Sequence, residues 1–286
     1  MIIKIRPSGY TKSDIKRMYI FFGCICAALS MTCILAILSW PLKVVHYEVR
    51  SPKVDGPFRV VQVSDLHDSK FGKDMSQLKS EIDKAGPDLI ALTGDIYDDK
   101  LPNDNTTELM RYIGTRYECI YIAGNHEFYD TGKWRTNKAL AESLGVKVAE
   151  GENFVYGDIT VCAAAKRLED LYDDQDQAVE RCAEQADRDS FVLLLSHYPH
   201  KIDDYRAYGC FDLILCGHAH GGQWRLPWSQ NGLYAPDQGL FPKWSGGRFD
   251  FDDTTMIVSR GLCRTKHKIP RIFNRPELVM IDIIPE

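Results

Sequence analysis

Leu213-Ile214-Leu215-Cys216-Gly217-His218-Ala219-His220-Gly221-Gly222-Gln223 is an apolar run that breaks into two histidines hemmed by small residues. The run reads as a buried strand, and residues 217–223 as a turn carrying metal ligands past its end. On an extended segment, side chains at i and i+2 point the same way, so His218 and His220 are expected to face one site. Neutral imidazole is the commonest metal ligand, and glycine lets a backbone turn tightly around an ion. A polar turn that happens to hold two histidines is the competing reading, and the rest of the chain decides between them.

Four other apolar runs end in the same manner. Phe58–Val63 leads to Ser64-Asp65-Leu66-His67-Asp68, and Leu89–Leu92 leads to Thr93-Gly94-Asp95. Cys119–Ile122 leads to Ala123-Gly124-Asn125-His126-Glu127, and Phe191–Leu195 to Ser196-His197-Tyr198-Pro199. Between them lie stretches of helical period, the first with Leu78 and Ile82 on one face, the others around 107–113, 133–144 and 176–186. Strand, helix and strand in alternation predict an α/β fold. Asn153–Tyr156 and Ile159–Ala164 read as a hairpin about Gly157-Asp158, while 255–259 and 278–284 read as closing strands. Five polar clusters thus stand just past strand C-termini, the edge at which α/β folds bind ligands. They hold five of the eight histidines.

Carboxylate, imidazole and one amide oxygen, without thiolate, suit manganese, iron or zinc. A magnesium or calcium cage would be built of oxygen alone. There are more donors here than one ion uses, so two divalent ions bridged by a carboxylate are expected, an arrangement suited to phosphoryl transfer.

Taken in order, Asp65-x-His67, Gly94-Asp95, Gly124-Asn125-His126-Glu127, His197 and Gly217-His218-x-His220 resemble the signature of the calcineurin-like metallophosphoesterase superfamily. Longer stretches, among them Ser64–His67, Gly217–Gln223 with Arg225-Leu226-Pro227, Leu240-Phe241-Pro242-Lys243, Ser259-Arg260-Gly261-Leu262, Pro270-Arg271 and Arg275-Pro276-Glu277, resemble its membrane-anchored bacterial branch of YaeI/YkuE-like phosphodiesterases. The resemblance covers residues 58–286 and implies a layered α/β/β/α sandwich. It implies that Asp65, His67 and His220 hold one metal, that Asn125, His197 and His218 hold the other, and that Asp95 bridges them. It also implies that His126 faces the substrate as the catalytic residue, a role that fits a proton donor to a leaving alkoxide. After Ser259-Arg260-Gly261-Leu262 the chain departs from the family: Cys263-Arg264-Thr265-Lys266-His267-Lys268 replaces a glycine and proline turn, and Lys266, His267 and Lys268 read as a solvated basic turn. A phosphate-ester hydrolase is the expectation; a non-catalytic scaffold of the same fold is the alternative, and the retention of every ligand speaks for the enzyme.

The chain has 286 residues, 44% hydrophobic and 26% charged, with a net charge of −5, the composition of a globular protein without the basic footprint that nucleic acid requires. Residues 1–17 form a basic segment with Lys4, Arg6, Lys12, Lys16 and Arg17. From Met18 to Trp40 the chain is apolar and uncharged, long enough for a transmembrane helix. The basic residues before it predict a single-pass protein of the cell membrane whose domain lies outside the cytoplasm. Residues 41–57 are expected to be an irregular linker, because Pro41, Pro52 and Pro57 discourage regular structure, and residues 58–286 to be the domain. Cysteine spacing matches neither a stapled framework nor a CxxC zinc site. Trp224, Trp228, Tyr234, Phe241 and Trp244 crowd one loop, either as an apolar wall turned to lipid or as a cover for the core. Asp170, Asp173, Asp174 and Asp176 lack EF-hand spacing and read as the start of a helix.

Overall fold

The computed structural model describes residues 11–38, 41–169, 174–226, 228, 231–266 and 269–286. Lys4, Arg6, Trp40, Asp170, Asp173, Pro227, His267, Lys268 and the side chain of Lys266 lie outside the described residues. Helix α1 (Lys12–Leu38) starts before the apolar run and takes in part of the basic segment. It is long and apolar enough to cross a membrane, and its apolar stretch is nowhere buried inside the protein. A core helix would bury a face.

Residues 41–57 depart from the irregular chain expected of them, since Lys43–Ser51 form strand β1. Pro41 precedes the strand and Pro52 follows it directly, so the missing N–H groups remove no ladder bond and the prolines bound the strand. β1 lies parallel to the C-terminal strand Glu277–Pro285, from Lys43 opposite Glu277 to Ser51 opposite Pro285. The folded body therefore starts well before residue 58.

Next come β2 (Phe58–Val63), α2 (Ser76–Ala85), β3 (Leu89–Thr93), α3 (Asp104–Ile113) and β4 (Cys119–Ile122). α4 (Asn125–Tyr129), α5 (Thr131–Ser143) and β5 (Lys147–Ala149) complete the first half, whose strands β2 to β5 run parallel. β6 (Glu152–Tyr156) and β7 (Ile159–Ala163) make the expected hairpin, with Gly157 at φ 62° in its turn. α6 (Gln175–Glu184), β8 (Phe191–Leu195), α7 (Ile202–Ala207) and β9 (Leu213–Cys216) extend a second sheet in parallel from β7. The Asp174 side chain accepts hydrogen bonds from the N–H groups of Asp176 and Gln177, so this acidic residue caps α6. A small ladder of β10 (Tyr234–Ala235) and β11 (Gly239–Leu240) precedes β12 (Gly247–Asp250) and β13 (Thr255–Val258); another, of β14 (Thr265–Lys266) and β15 (Ile269–Pro270), precedes β16 (Glu277–Pro285). The two large sheets have the orders β1-β16-β2-β3-β4-β5 and β12-β13-β9-β8-β7-β6.

Alternation along the second sheet shows the layering. Val161, Leu193, Leu195, Leu213, Leu215 and Ile257 share one core with Val60, Leu89, Ala91 and Ile120 of the first sheet, on the face from which Gln62 donates to Cys216 O at 2.9 Å. Their neighbours Cys162, Val192, Leu194, Ile214, Cys216 and Met256 face the other way, onto Val179 and Cys182 of α6 and Ile202 and Tyr205 of α7. On the outer face of the first sheet lie Leu78 and Ile82 of α2, Leu109 and Ile113 of α3 and Trp134 of α5. Strands β3, β7 and β8 are covered on both faces, hence their unbroken apolar sequences. The fold is an α/β/β/α sandwich.

Candidate metal centre

Parallel strands bring their C-terminal ends to one edge of each sheet, and backbone bonds tie those ends together. The N–H of Asp65 donates to Gly94 O at 3.0 Å, and that of Gly217 to His197 O at 3.2 Å. Asp65, His67, Asp95, His218 and His220 all have positive φ, between 43° and 66°. Such conformations are uncommon for residues with a side chain, and strain of this kind concentrates at functional sites. His218 and His220 are therefore not extended, and the expectation that they face the same way is corrected. Each ring joins a different group.

One group is Asp65, His67, Asp95 and His220; the second is Asp95, His197 and His218. Asp95 belongs to both. Its Oδ2 lies 3.4 Å from His67 Nε2 and 3.4 Å from His197 Nε2, while its Oδ1 accepts the His126 N–H at 2.8 Å. Asp65 accepts the His218 N–H at 2.9 Å and the Ser64 hydroxyl at 2.5 Å, and its Oδ1 is 3.5 Å from His220 Nε2. Asp95 Oδ2, His67 Nε2 and Asn125 Oδ1 are buried, with no hydrogen-bond partner among the described residues. Leaving such atoms bare costs stability unless something binds them.

Outer partners set the tautomers. His197 Nδ1 donates to Thr93 O at 2.8 Å, which leaves a lone pair on Nε2. His218 Nε2 stands 2.8 Å from Asp237 Oδ2, so its proton belongs there and Nδ1 keeps the lone pair. These two lone pairs face each other, Nδ1 to Nε2, at 3.2 Å. They repel unless a proton or a metal ion lies between them. Asp98 Oδ2 is 3.4 Å from His67 Nδ1, and Asp99 Oδ1 is 2.7 Å from His126 Nδ1. The cluster attracts positive charge: burial opposes protonation of His197, yet Asp95 outweighs it and raises the imidazole to about 9. His67 moves upward in the same way, against its burial, through Asp95 and Asp98.

Glycines let the clusters approach. A Cβ on Gly124 would stand 2.8 Å from His197 Nε2 and from Asp95 N. Gly94, at φ 87°, faces the other side of the same imidazole. A cleft of about 630 Å³ opens above the cluster, lined by Lys100, Asn125, His126, Tyr129, Tyr198, His218, His220 and Asp237, among others.

Sequence reasoning passed over Asp98, Asp99, Asp237 and Glu127. Glu127 takes hydrogen bonds from the N–H groups of Asp95, Ile96, Tyr97 and Gly124 and from the Tyr121 hydroxyl, holding the Asp95 turn against α4. Its place beside His126 was a signal for it, as was the nearness of Asp98 and Asp99 to Asp95 for them. Asp237 sits in a loop with no pattern to mark it. Of the aromatic loop, Trp244 packs on Phe249 and Phe251 and covers the core, whereas Trp224, Trp228, Tyr234 and Phe241 are exposed. His200 lies at the margin, its ring 6.2 Å from that of His218. Cys119, Cys162, Cys182, Cys210, Cys216 and Cys263 are buried and unpaired.

Comparison with known proteins gives a match to the calcineurin-like phosphoesterase family over residues 58–222. A metallophosphoesterase of Helicobacter pylori strain J99 is 24% identical over 60% of this chain, and the aligned part spans about half of that protein, 46%. The metallophosphoesterase YkuE of Bacillus subtilis is 28% identical over 79% of each chain. The phosphodiesterase YaeI of Escherichia coli is 26% identical over 80% of this chain and 83% of its own. Because the family match takes in more than half of the chain and runs through every cluster of the site, the chain belongs to the calcineurin-like phosphoesterase family.

Proposed function

We propose that the protein is a membrane-anchored phosphoesterase working with two divalent ions. Asp65, His67 and His220 hold one, Asn125, His197 and His218 hold the other, and Asp95 bridges them. The observation that carries this reading is the presence in one cluster of buried atoms without a hydrogen-bond partner, Asp95 Oδ2, His67 Nε2 and Asn125 Oδ1, beside two imidazoles whose ring nitrogens face each other at 3.2 Å. Donors without thiolate suit manganese, iron or zinc. Ions held there supply Lewis acidity toward phosphoryl oxygens and make a water nucleophilic at neutral pH.

Positioning and proton transfer fall to the chain. His126 lines the cleft with Nδ1 held by Asp99, so Nε2 delivers the proton to the leaving alkoxide. Its N–H on Asp95 Oδ1 fixes the acid to the bridging carboxylate. The name of YaeI favours diesters as substrates. α1 is the anchor in this reading, and Lys12, Lys16 and Arg17 at its N-terminal end favour a domain outside the cytoplasm.

The test uses the full chain in detergent, assayed on chromogenic mono- and diesters with each metal in turn. Asp95→Asn is expected to lower metal content and turnover together. His126→Ala should keep both ions and slow turnover by about 10²–10⁴. Loss of an ion from His126→Ala refutes its role, and absence of turnover with every metal and ester turns the reading to a non-catalytic scaffold.

A further inference from the structure

The way in which the anchor joins the domain fixes which edge meets the membrane. From Leu38, the end of α1, to Lys43, the start of β1, there are five Cα steps, at most about 18 Å of chain. Lys43 stands at the metal edge of the sheet. It pairs with Glu277, and two residues later Val279 pairs with Gln62, beside the C-terminal end of β2 from which Asp65 follows. The connection is bonded in place: the Lys43 N–H donates to Pro276 O at 2.9 Å, and Arg275 donates to Pro41 O at 3.0 Å and Leu42 O at 2.8 Å. Asn274 donates from Nδ2 to His220 O at 2.8 Å. Adjacent residues, Asn274 and Arg275, thus grip the metal cluster and the chain that leads into β1.

Exposed apolar side chains gather at that same edge. Nine of the thirteen large ones exposed outside α1, among the described residues, lie between Trp224 and Phe273. Backbone and side-chain bonds join their two loops into one surface, since Gln223 Nε2 donates to Ile269 O, Trp224 Nε1 to Pro270 O, and the Arg225 N–H to Ile272 O. Tyr234 and Ile269 line the cleft itself. Phe241 is 71% exposed, and Phe273, two residues from Arg275, is 42% exposed. A contiguous apolar surface of this kind marks a contact site, and aromatic side chains suit the headgroup level of a bilayer.

We propose that the rim formed by residues 224–226, 228, 231–241 and 269–273 seats on the bilayer that holds α1, so that the cleft opens onto the lipid headgroups. Phosphate esters carried on lipids then reach the metal cluster without leaving the membrane. The inference rests on α1 being the membrane anchor. What decides for lipid over a protein partner is the short, bonded connection, which holds this edge at the surface from which α1 emerges.

The test uses the full chain in phosphatidylcholine vesicles, with Cys24, Cys26 and Cys33 of α1 replaced by serine and one new cysteine carrying a fluorophore. Phe241→Cys reports the rim. Val155→Cys, 70% exposed on β6 away from the cleft, reports the body. Lipids bearing a nitroxide are expected to quench the label at 241 at least threefold more than the label at 155. Equal, weak quenching at both positions, in chains that sediment with the vesicles, overturns the seating while leaving the anchor and the hydrolase in place. Chains that do not sediment with vesicles refute the anchor, and the seating with it.

Discussion

Gly124→Ala tests the centre by crowding it. Gly124 has φ −97°, which alanine adopts without strain, so the effect is steric alone. The new Cβ would stand 2.8 Å from Asp95 N and His197 Nε2, and closer still to Asp95 Oδ1, where ordinary contacts begin at 3.4 Å. A displacement of at least about 0.6 Å is required, more than the ~0.2 Å tolerance of metal–ligand distances. Neither neighbour yields easily. Glu127 holds Asp95 N at 3.0 Å, and Thr93 O holds His197 Nδ1 at 2.8 Å. Overpacking of this kind costs about 1–3 kcal/mol. If the strain is relieved by the site rather than by the fold, affinity for the ion between Asp95 and His197 falls by about 5- to 150-fold. Metal content after gel filtration at limiting manganese, together with turnover of a chromogenic diester, reads the loss. Gly132→Ala is the control, since a Cβ there meets only Asp130 Oδ1 at 3.5 Å. Should Gly124→Ala keep both ions and turn over within about threefold of the native chain, the bridging position of Asp95 is wrong.

Asp99→Asn removes the charge that orients His126 and should lower turnover about 10- to 100-fold with metal content unchanged; parallel loss of metal would make Asp99 a ligand instead. Metal binding should release protons. In the metal-free chain His197 is raised to about 9, against its burial, by Asp95, so the ring is protonated below that pH and must lose its proton to bind an ion. Affinity therefore falls as pH drops from 9 toward 6, and calorimetry in buffers of different ionisation enthalpy counts the protons; a flat profile refutes it.

The strand-end clusters were legible because a buried parallel strand must be apolar along its length, so a histidine or carboxylate at its end stands out against Leu213–Cys216 or Phe191–Leu195. The direction of the side chains was not. His218 and His220 leave the strand through left-handed turns, where the alternation of an extended chain no longer applies. β1 escaped notice because an edge strand is half exposed and its partner lies at the far end of the sequence. Asp237 escaped for the same reason: its tie to His218 exists only once the aromatic loop has folded back over β9.

The place of β16 bears on how the protein is made. It lies between β1 and β2, bonded to both, so the edge of the first sheet is incomplete until β16 emerges from the ribosome. Contacts so distant in sequence are slow to form, because the intervening chain must be ordered first. β1 therefore waits unpaired while the residues between Ser51 and Glu277 are made. A chain ending before Glu277 would lose β16, leave β1 without its neighbour, and expose an open strand edge to neighbouring chains.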